Sequence, residues 1–156
     1  MMESSHVKFS VSHLTAQAVV HAVIERARAL GVPQSVAVLD ARGLVLALCR
    51  MAGAPLVSIE TARSKALTAL FGSSAPADAE ALPPGVSRLP RFSSVGGGLP
   101  IVSGDRSIGA IGVSGGTAEQ DLECAHAGLA AVHGASAPKG HDGEVAGRRS
   151  GGADRR

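Results

Sequence analysis

The chain contains no tryptophan and no tyrosine, and its three phenylalanines, Phe9, Phe71 and Phe92, are all the aromatic side chains it has. Its core must therefore be aliphatic, and single-stranded nucleic acid, whose bases stack on aromatic rings, finds no platform here. Cysteine is nearly as scarce. Cys49 lies in an apolar run and Cys124 in a helical stretch, with no CxxC and no paired spacing, which suits reduced thiols packed as small hydrophobes and implies no disulfide framework. Long apolar runs are missing as well: nowhere do eighteen apolar residues follow one another, and the opening MMESSHVKFSVSH has no hydrophobic signal segment. The expectation is a cytoplasmic protein with no membrane partner. Basic charge is also short where it would matter. The formal net charge of +2 comes from the last stretch, where Lys139, Arg148, Arg149, Arg155 and Arg156 face Asp142, Glu144 and Asp154, so the part before residue 135 is neutral. A nucleic-acid footprint needs clustered Lys and Arg on a folded face, and none is expected.

What is present is 156 residues, 45% of them apolar, enough for one domain that buries roughly 68% of its unfolded surface. Residues 1–11 read as a loose N-terminal segment, 12–134 as the domain, and 135–156, which has no apolar face, as a disordered tail. Thr15 is placed as the cap of a helix whose Val20, Val23, Ile24, Ala27 and Leu30 share one face, with Gln17, His21, Glu25 and Arg28 opposite; Gly31 and Pro33 stop it. His21 has solvated face-mates and reads as a surface histidine rather than a metal ligand.

Ser35–Asp40 and Leu44–Arg50 are β-rich runs joined by Ala41-Arg42-Gly43, a hairpin in which Asp40 is expected to hydrogen-bond the turn backbone. A second helix is expected from Ser58 to Phe71. Ile59, Ala62, Ala66, Ala69 and Leu70 form its apolar stripe, and Ser58, Thr61, Lys65 and Thr68 form a polar row. That row is either plain helix surface or the wall of a pocket in which Lys65 meets a carboxylate. Gly72–Arg91, rich in Pro, Ala, Ser and Gly, reads as a long mobile loop with at most a turn of helix near Ala77–Ala81.

The most informative stretch is Phe92–Asp121, FSSVGGGLPIVSGDRSIGAIGVSGGTAEQD. Leu99–Ser103 and Ser107–Ser114 form a second hairpin about Gly104-Asp105-Arg106, and the chain leaves it through Gly115-Gly116 into a helix from Ala118 to about His133. Thr117 and Gln120 have capping-box spacing. Strand, glycine turn and helix N-terminus together gather free N–H groups and the positive end of a helix dipole, where a carboxylate or phosphate could sit. Glycines here can equally serve close packing. Gly112-Val113-Ser114-Gly115-Gly116 satisfies the GxSxG pattern of a hydrolase elbow, but Asp121, His126 and His133 all follow on one helix, with no later strand to carry an acid and base over Ser114. Cys124 and His126, two apart on that helix, face different ways and share no metal. The element order predicts an α+β domain with an antiparallel sheet.

Leu39–Ala69 (LDARGLVLALCRMAGAPLVSIETARSKALTA) and Gly96–Asp121 (GGGLPIVSGDRSIGAIGVSGGTAEQD) resemble the GlcG/HbpS-like family of small haem-binding proteins, also found as the C-terminal domain of PduO-type cobalamin adenosyltransferases. The resemblance spans about Leu14–Val132 and rests on the paired motifs RMxGAPxxSIxxA and GAIGVSGGTxEQD. It implies a profilin-like fold, a five-stranded antiparallel sheet flanked by helices, and a homo-oligomer. The chain departs from the family at Cys49, usually aromatic, and at Ala52, usually acidic, and no axial haem ligand carries over to a residue here.

Three functional readings are open on these grounds. One is a small-molecule-binding module for haem or another carboxylate-bearing cofactor, with its carboxylates at Ser114, Gly115, Gly116 and Thr117 and Arg50 or Lys65 as counter-charge. Another is a small enzyme of a catabolic or biosynthetic cluster, an isomerase, tautomerase or lyase acting on an organic acid, with Lys65 as base. The third is an accessory or assembly protein without chemistry of its own.

Overall fold

The computed structural model describes residues 9–73 and 96–135. In chain order they form α1 (His13–Leu30), β1 (Ser35–Asp40), β2 (Val45–Arg50), α2 (Ser58–Ser73), β3 (Gly98–Ser103), β4 (Arg106–Ser114) and α3 (Ala118–Ala135). The expectations for the N-terminal octet, for most of the Gly72–Arg91 loop and for the tail after Ala135 fall outside the described residues.

The two hairpins β1–β2 and β3–β4 join through β1 and β4 into one antiparallel sheet of order β2-β1-β4-β3. The α+β architecture is as expected, with four strands among the described residues where the family resemblance implies five. β1 is buried along its whole length because both faces of the sheet are covered. Val36 and Val38, with Ile101, Ile111 and Val113, pack against α1 and α3, whereas Leu39 and Ala110 pack against Ala66 and Leu70 of α2. The result is three layers, one helix on one face and two on the other.

The α2 face is lined by small residues for a geometric reason. Ala37, Gly112 and Gly98 are neighbours in register across three strands. A Cβ on Gly112 would lie 1.9 Å from the Ala62 carbonyl oxygen, and one on Gly98 2.3 Å from that of Lys65. The helix backbone itself thus rests on the sheet, with Ala62 and Ala66 as its fully buried contact residues.

Several boundaries differ from the sequence reading: β2, β3 and β4 start at Val45, Gly98 and Arg106, each one residue from the expected position, so the second turn is Gly104-Asp105 without Arg106. Ser12, not Thr15, caps α1: its Oγ accepts the Thr15 N–H at 3.1 Å, which makes Thr15 the third helical residue. The segment before α1 is docked at its end, since Val11 is 7% exposed and its N–H donates to the Ile108 carbonyl at 2.9 Å. Gly72 and Gly134 lie within helices, as nothing at either position demands a left-handed backbone. At Gly31, by contrast, φ is 67° and the N–H returns to the last turn of α1, as expected of a stop.

The first hairpin turn is braced by Asp40. Its Oδ1 accepts the N–H groups of Arg42 at 2.8 Å and Leu44 at 2.9 Å. Burial pushes this carboxyl up, but those two N–H groups and the Arg42 guanidinium outweigh it and hold the pKa below the ordinary 3.8. A depressed folded-state pKa adds stability that is present above the unfolded value and is lost as pH falls through the folded one. Asp40→Ala is expected to lower stability by about 1–3 kcal/mol near neutrality. In denaturant titrations the gap between the two proteins should be constant at higher pH and close only below pH 3.8; a gap that closes at neutral pH would refute the assignment.

Candidate functional site

One end of the sheet collects most of the residues singled out in the sequence. Arg50 at the end of β2, Ser35 at the start of β1 and Ser114 at the end of β4 are neighbours in register, so their side chains leave the sheet on the same face, the α2 side. Ser58, the first residue of α2, closes over this row: its Oγ pairs with that of Ser35 at 2.7 Å, both buried. Arg50 lies at the exposed rim and donates to the Ala54 carbonyl at 3.0 Å. The same loop leaves Leu56 and Val57 81% and 70% exposed, an apolar surface beside an available cation.

From Ser114 the chain enters the glycine junction. Gly115 has φ of 147°, and a Cβ there would lie 2.5 Å from the Pro33 carbonyl oxygen. Only glycine fits that backbone. The helix start is self-capped as its spacing implies: the Thr117 N–H donates to Gln120 Oε1 at 2.9 Å, and the Gln120 N–H to Thr117 Oγ1 at 3.3 Å. Glu119 accepts from its own backbone N–H and from the Thr117 hydroxyl, which hold its carboxyl below the usual range. The Gly116 N–H donates to Asp121 Oδ1 at 2.9 Å. Protein acceptors therefore already serve these N–H groups.

Lys65 is the residue whose environment differs most from a surface or open-pocket position. It is 3% exposed, and its Nζ donates to Asp121 Oδ2 at 2.6 Å and to the Val113 carbonyl at 3.1 Å. It does meet a carboxylate, but one from the same chain. The pair links α2 on one face of the sheet to α3 on the other, and Asp121 passes the link on to Gly116. Of the other members of the polar row, Ser58 faces Ser35, and the Thr61 and Thr68 hydroxyls donate to the carbonyls four residues back, Val57 and Ser64.

Gln34 was not singled out in the sequence. It is 1% exposed, its Oε1 lies 2.9 Å from the point where a Cβ on Gly115 would stand, and its Nε2 lies 3.0 Å from the corresponding point on Gly116. Among the described residues neither amide atom has a hydrogen-bond partner. Buried polar groups are nearly always paired, so an unpaired amide beneath the glycine junction marks this spot as polar beyond what the fold requires. No sequence pattern signals it, because a glutamine between Pro33 and a strand is an ordinary linker residue.

Elsewhere, His21 is exposed on α1 and Cys124 is fully buried, its thiol pushed up by burial and by the charges of Glu123 and Asp121. Among the described residues no three His, Cys, Asp or Glu side chains gather as a metal site, and no helix is long and apolar enough to cross a membrane.

Residues 11–130 match the sequence model of a family described as haem degrading protein HbpS-like. The chain belongs to the HbpS-like family. Among HbpS-like relatives, the corrinoid adenosyltransferase PduO of Salmonella typhimurium is 35% identical over 120 residues, which cover 72% of this chain and 36% of that protein. The chain thus spans about a third of that relative's length. The crystal structure of Klebsiella pneumoniae protein ORFY superposes with a TM-score of 0.74 at 29% identity, over 85% of this chain and 97% of that one. The PduOC:heme complex superposes with a TM-score of 0.69 at 32% identity, over 78% and 94%.

Proposed function

We propose that this HbpS-like chain binds haem at the end of the sheet where Arg50, Ser114 and the Gly115–Thr117 junction meet. The observation that carries the reading is its likeness, at 32% identity over most of both chains, to a domain solved as a haem complex. Haem, when bound, supplies an iron centre and two carboxylates. The exposed guanidinium of Arg50 suits one carboxylate as a charge-assisted donor. Exposed Leu56 and Val57 offer apolar contact for the ring, and the unpaired Gln34 amide adds polar character below the junction. None of Arg50, Lys65, Ser114 or Thr117 is a customary axial ligand, so this set accounts for carboxylates and ring, not for the iron.

Within this reading Lys65 is a positioning residue. Through Asp121 it fixes Gly116 and with it the shape of the junction. Using Lys65 as a base would require first breaking its bond to Asp121, so the binding reading is preferred to an enzyme acting on an organic acid. Self-association belongs to the same proposal, since Leu56 and Val57 also suit contact between copies. A profilin-like sheet completed by a fifth strand fits it too.

Titration of the full chain with hemin, followed in the Soret region, should give a saturable red-shifted band. Arg50→Ala should weaken binding about 10-fold, the usual effect of a lost charged hydrogen bond. A Soret band no different from free hemin would refute the reading, and an unchanged affinity in Arg50→Ala would remove Arg50 from the site.

A further inference from the structure

We infer that the opposite end of the sheet carries a second, smaller site, for an organic monocarboxylate with an apolar body. A cleft of about 210 Å³ opens there between the β1–β2 turn and α2, lined by Leu39, Arg42, Leu44, Glu60, Arg63 and Leu67 together with Gly43 and Ser64. Leu39, which lines it, lies four residues along β1 from Ser35, roughly 13 Å at ~3.3 Å per residue. It is therefore distinct from the haem reading. Its size is below the roughly 300–1,000 Å³ of sites for drug-sized ligands, so it excludes a macrocycle and suits a fragment.

The lining supplies both halves of such a ligand's recognition. Leu39 and Leu67 belong to the apolar cluster on the α2 side and give a hydrophobic floor. Arg42 and Arg63 give the charge, each now held through bonds of 3.1–3.4 Å to a carboxylate of the chain that a ligand would have to replace. The Asp40 carboxylate is satisfied by two backbone N–H groups at 2.8 and 2.9 Å, while the Arg42 guanidinium stands off at 3.3 Å and is 62% exposed. Arg63 shares one nitrogen with both oxygens of Glu60 at 3.1 Å, and Glu60 is 72% exposed. Exposed pairs one helical turn apart hold weakly, so an incoming carboxylate can take either fork and Glu60 can turn to water. Ser64 adds a hydroxyl beside Arg63. The turn that frames the cleft is held in advance: Asp40 braces it, and Gly43, at φ of 83°, lies so near Leu67 that a Cβ would come within 3.1 Å of its Cδ1. The turn backbone need not move on binding, only the arginine and Glu60 side chains, which favours affinity for a small ligand.

The probe is benzoate, added to the full chain labelled with ¹⁵N, with acetate and benzyl alcohol as controls for charge without body and body without charge. The expected result is saturable shifts of the Gly43, Leu44, Ser64 and Leu67 amides by benzoate with a Kd of about 1 mM or tighter. Both controls should bind at least about 10-fold more weakly, and Arg63→Met should lose about 10- to 100-fold in benzoate affinity. Arg42→Met, on the other arm, should lose affinity too; Arg63→Met should keep the parent's melting temperature, Arg42→Met should remain folded, and both should keep the parent's hemin titration. Benzoate shifts elsewhere, no saturation, acetate or benzyl alcohol matching benzoate, or folded Arg63→Met and Arg42→Met binding like the parent would each overturn the site.

Discussion

Lys65→Met is expected to lower stability by about 3–5 kcal/mol, the usual consequence of leaving one member of a buried ion pair behind. The side chains of Lys65 and Asp121 are only 2% and 4% exposed, so solvent cannot take over from the missing partner. Asp121 would keep the Gly116 N–H and lose its cation, and the Val113 carbonyl would lose a donor. For a domain of this size the midpoint of thermal unfolding should fall by at least ~10 °C. Adding Asp121→Leu should restore much of the loss, because an apolar pair of similar volume avoids stranding a charge. Thermal unfolding of the three proteins by circular dichroism decides the matter. If Lys65→Met melts within a degree or two of the parent, the lysine is not structural, and an activated, ligand-facing role returns to consideration.

Gly112→Ala should be comparably damaging although it adds a single carbon. The new Cβ would meet the Ala62 carbonyl oxygen at 1.9 Å and the Ala66 nitrogen at 2.6 Å, both backbone atoms of α2. A rotamer change cannot relieve such a contact, so the helix must lift off β4 or the strand must shift against its two neighbours. Overpacking of side chains costs about 1–3 kcal/mol, and contact with backbone should reach or exceed the upper figure. Gly134→Ala is the control. It stands in α3 with nothing among the described residues within 4 Å of its added carbon, and it should be neutral or stabilising by up to about 1 kcal/mol. Equal effects at the two positions, measured by urea unfolding, would mean that α2 is not seated on the glycine row.

The contrast between these residues also explains what could be read in advance. Both hairpins were legible because their signals are local: Asp40 and Gly43 define one turn, and Gly104, with φ of 63°, defines the other. The Thr117–Gln120 cap was legible for the same reason. The sequence reading starts α1 at Thr15 because Ser12, three residues earlier, caps with the same chemistry and nothing local ranks the two, and Val11 looked like part of a loose end because its partner, Ile108, is nearly a hundred residues away. At the site, the row of polar residues on α2 was visible, but its meaning was not. Lys65 could be expected to meet a carboxylate, yet nothing local says that the carboxylate belongs to Asp121, 56 residues on. Gln34 was invisible because only the folded chain places its amide under Gly115 and Gly116.

The bond from Lys65 to Asp121 has a dynamic consequence. Among the described residues it is the ion pair that joins α2 to a helix on the other side of the sheet; Arg26–Glu123 joins α1 to α3, and the remaining pairs are local. Peeling α2 away would strand both buried charges at once, so the helix cannot open as an independent unit while α3 stays closed. The amides of α2 and α3 should therefore exchange with solvent through shared openings. Whatever settles at the glycine junction, at the start of α3, would then slow exchange along α2 as well.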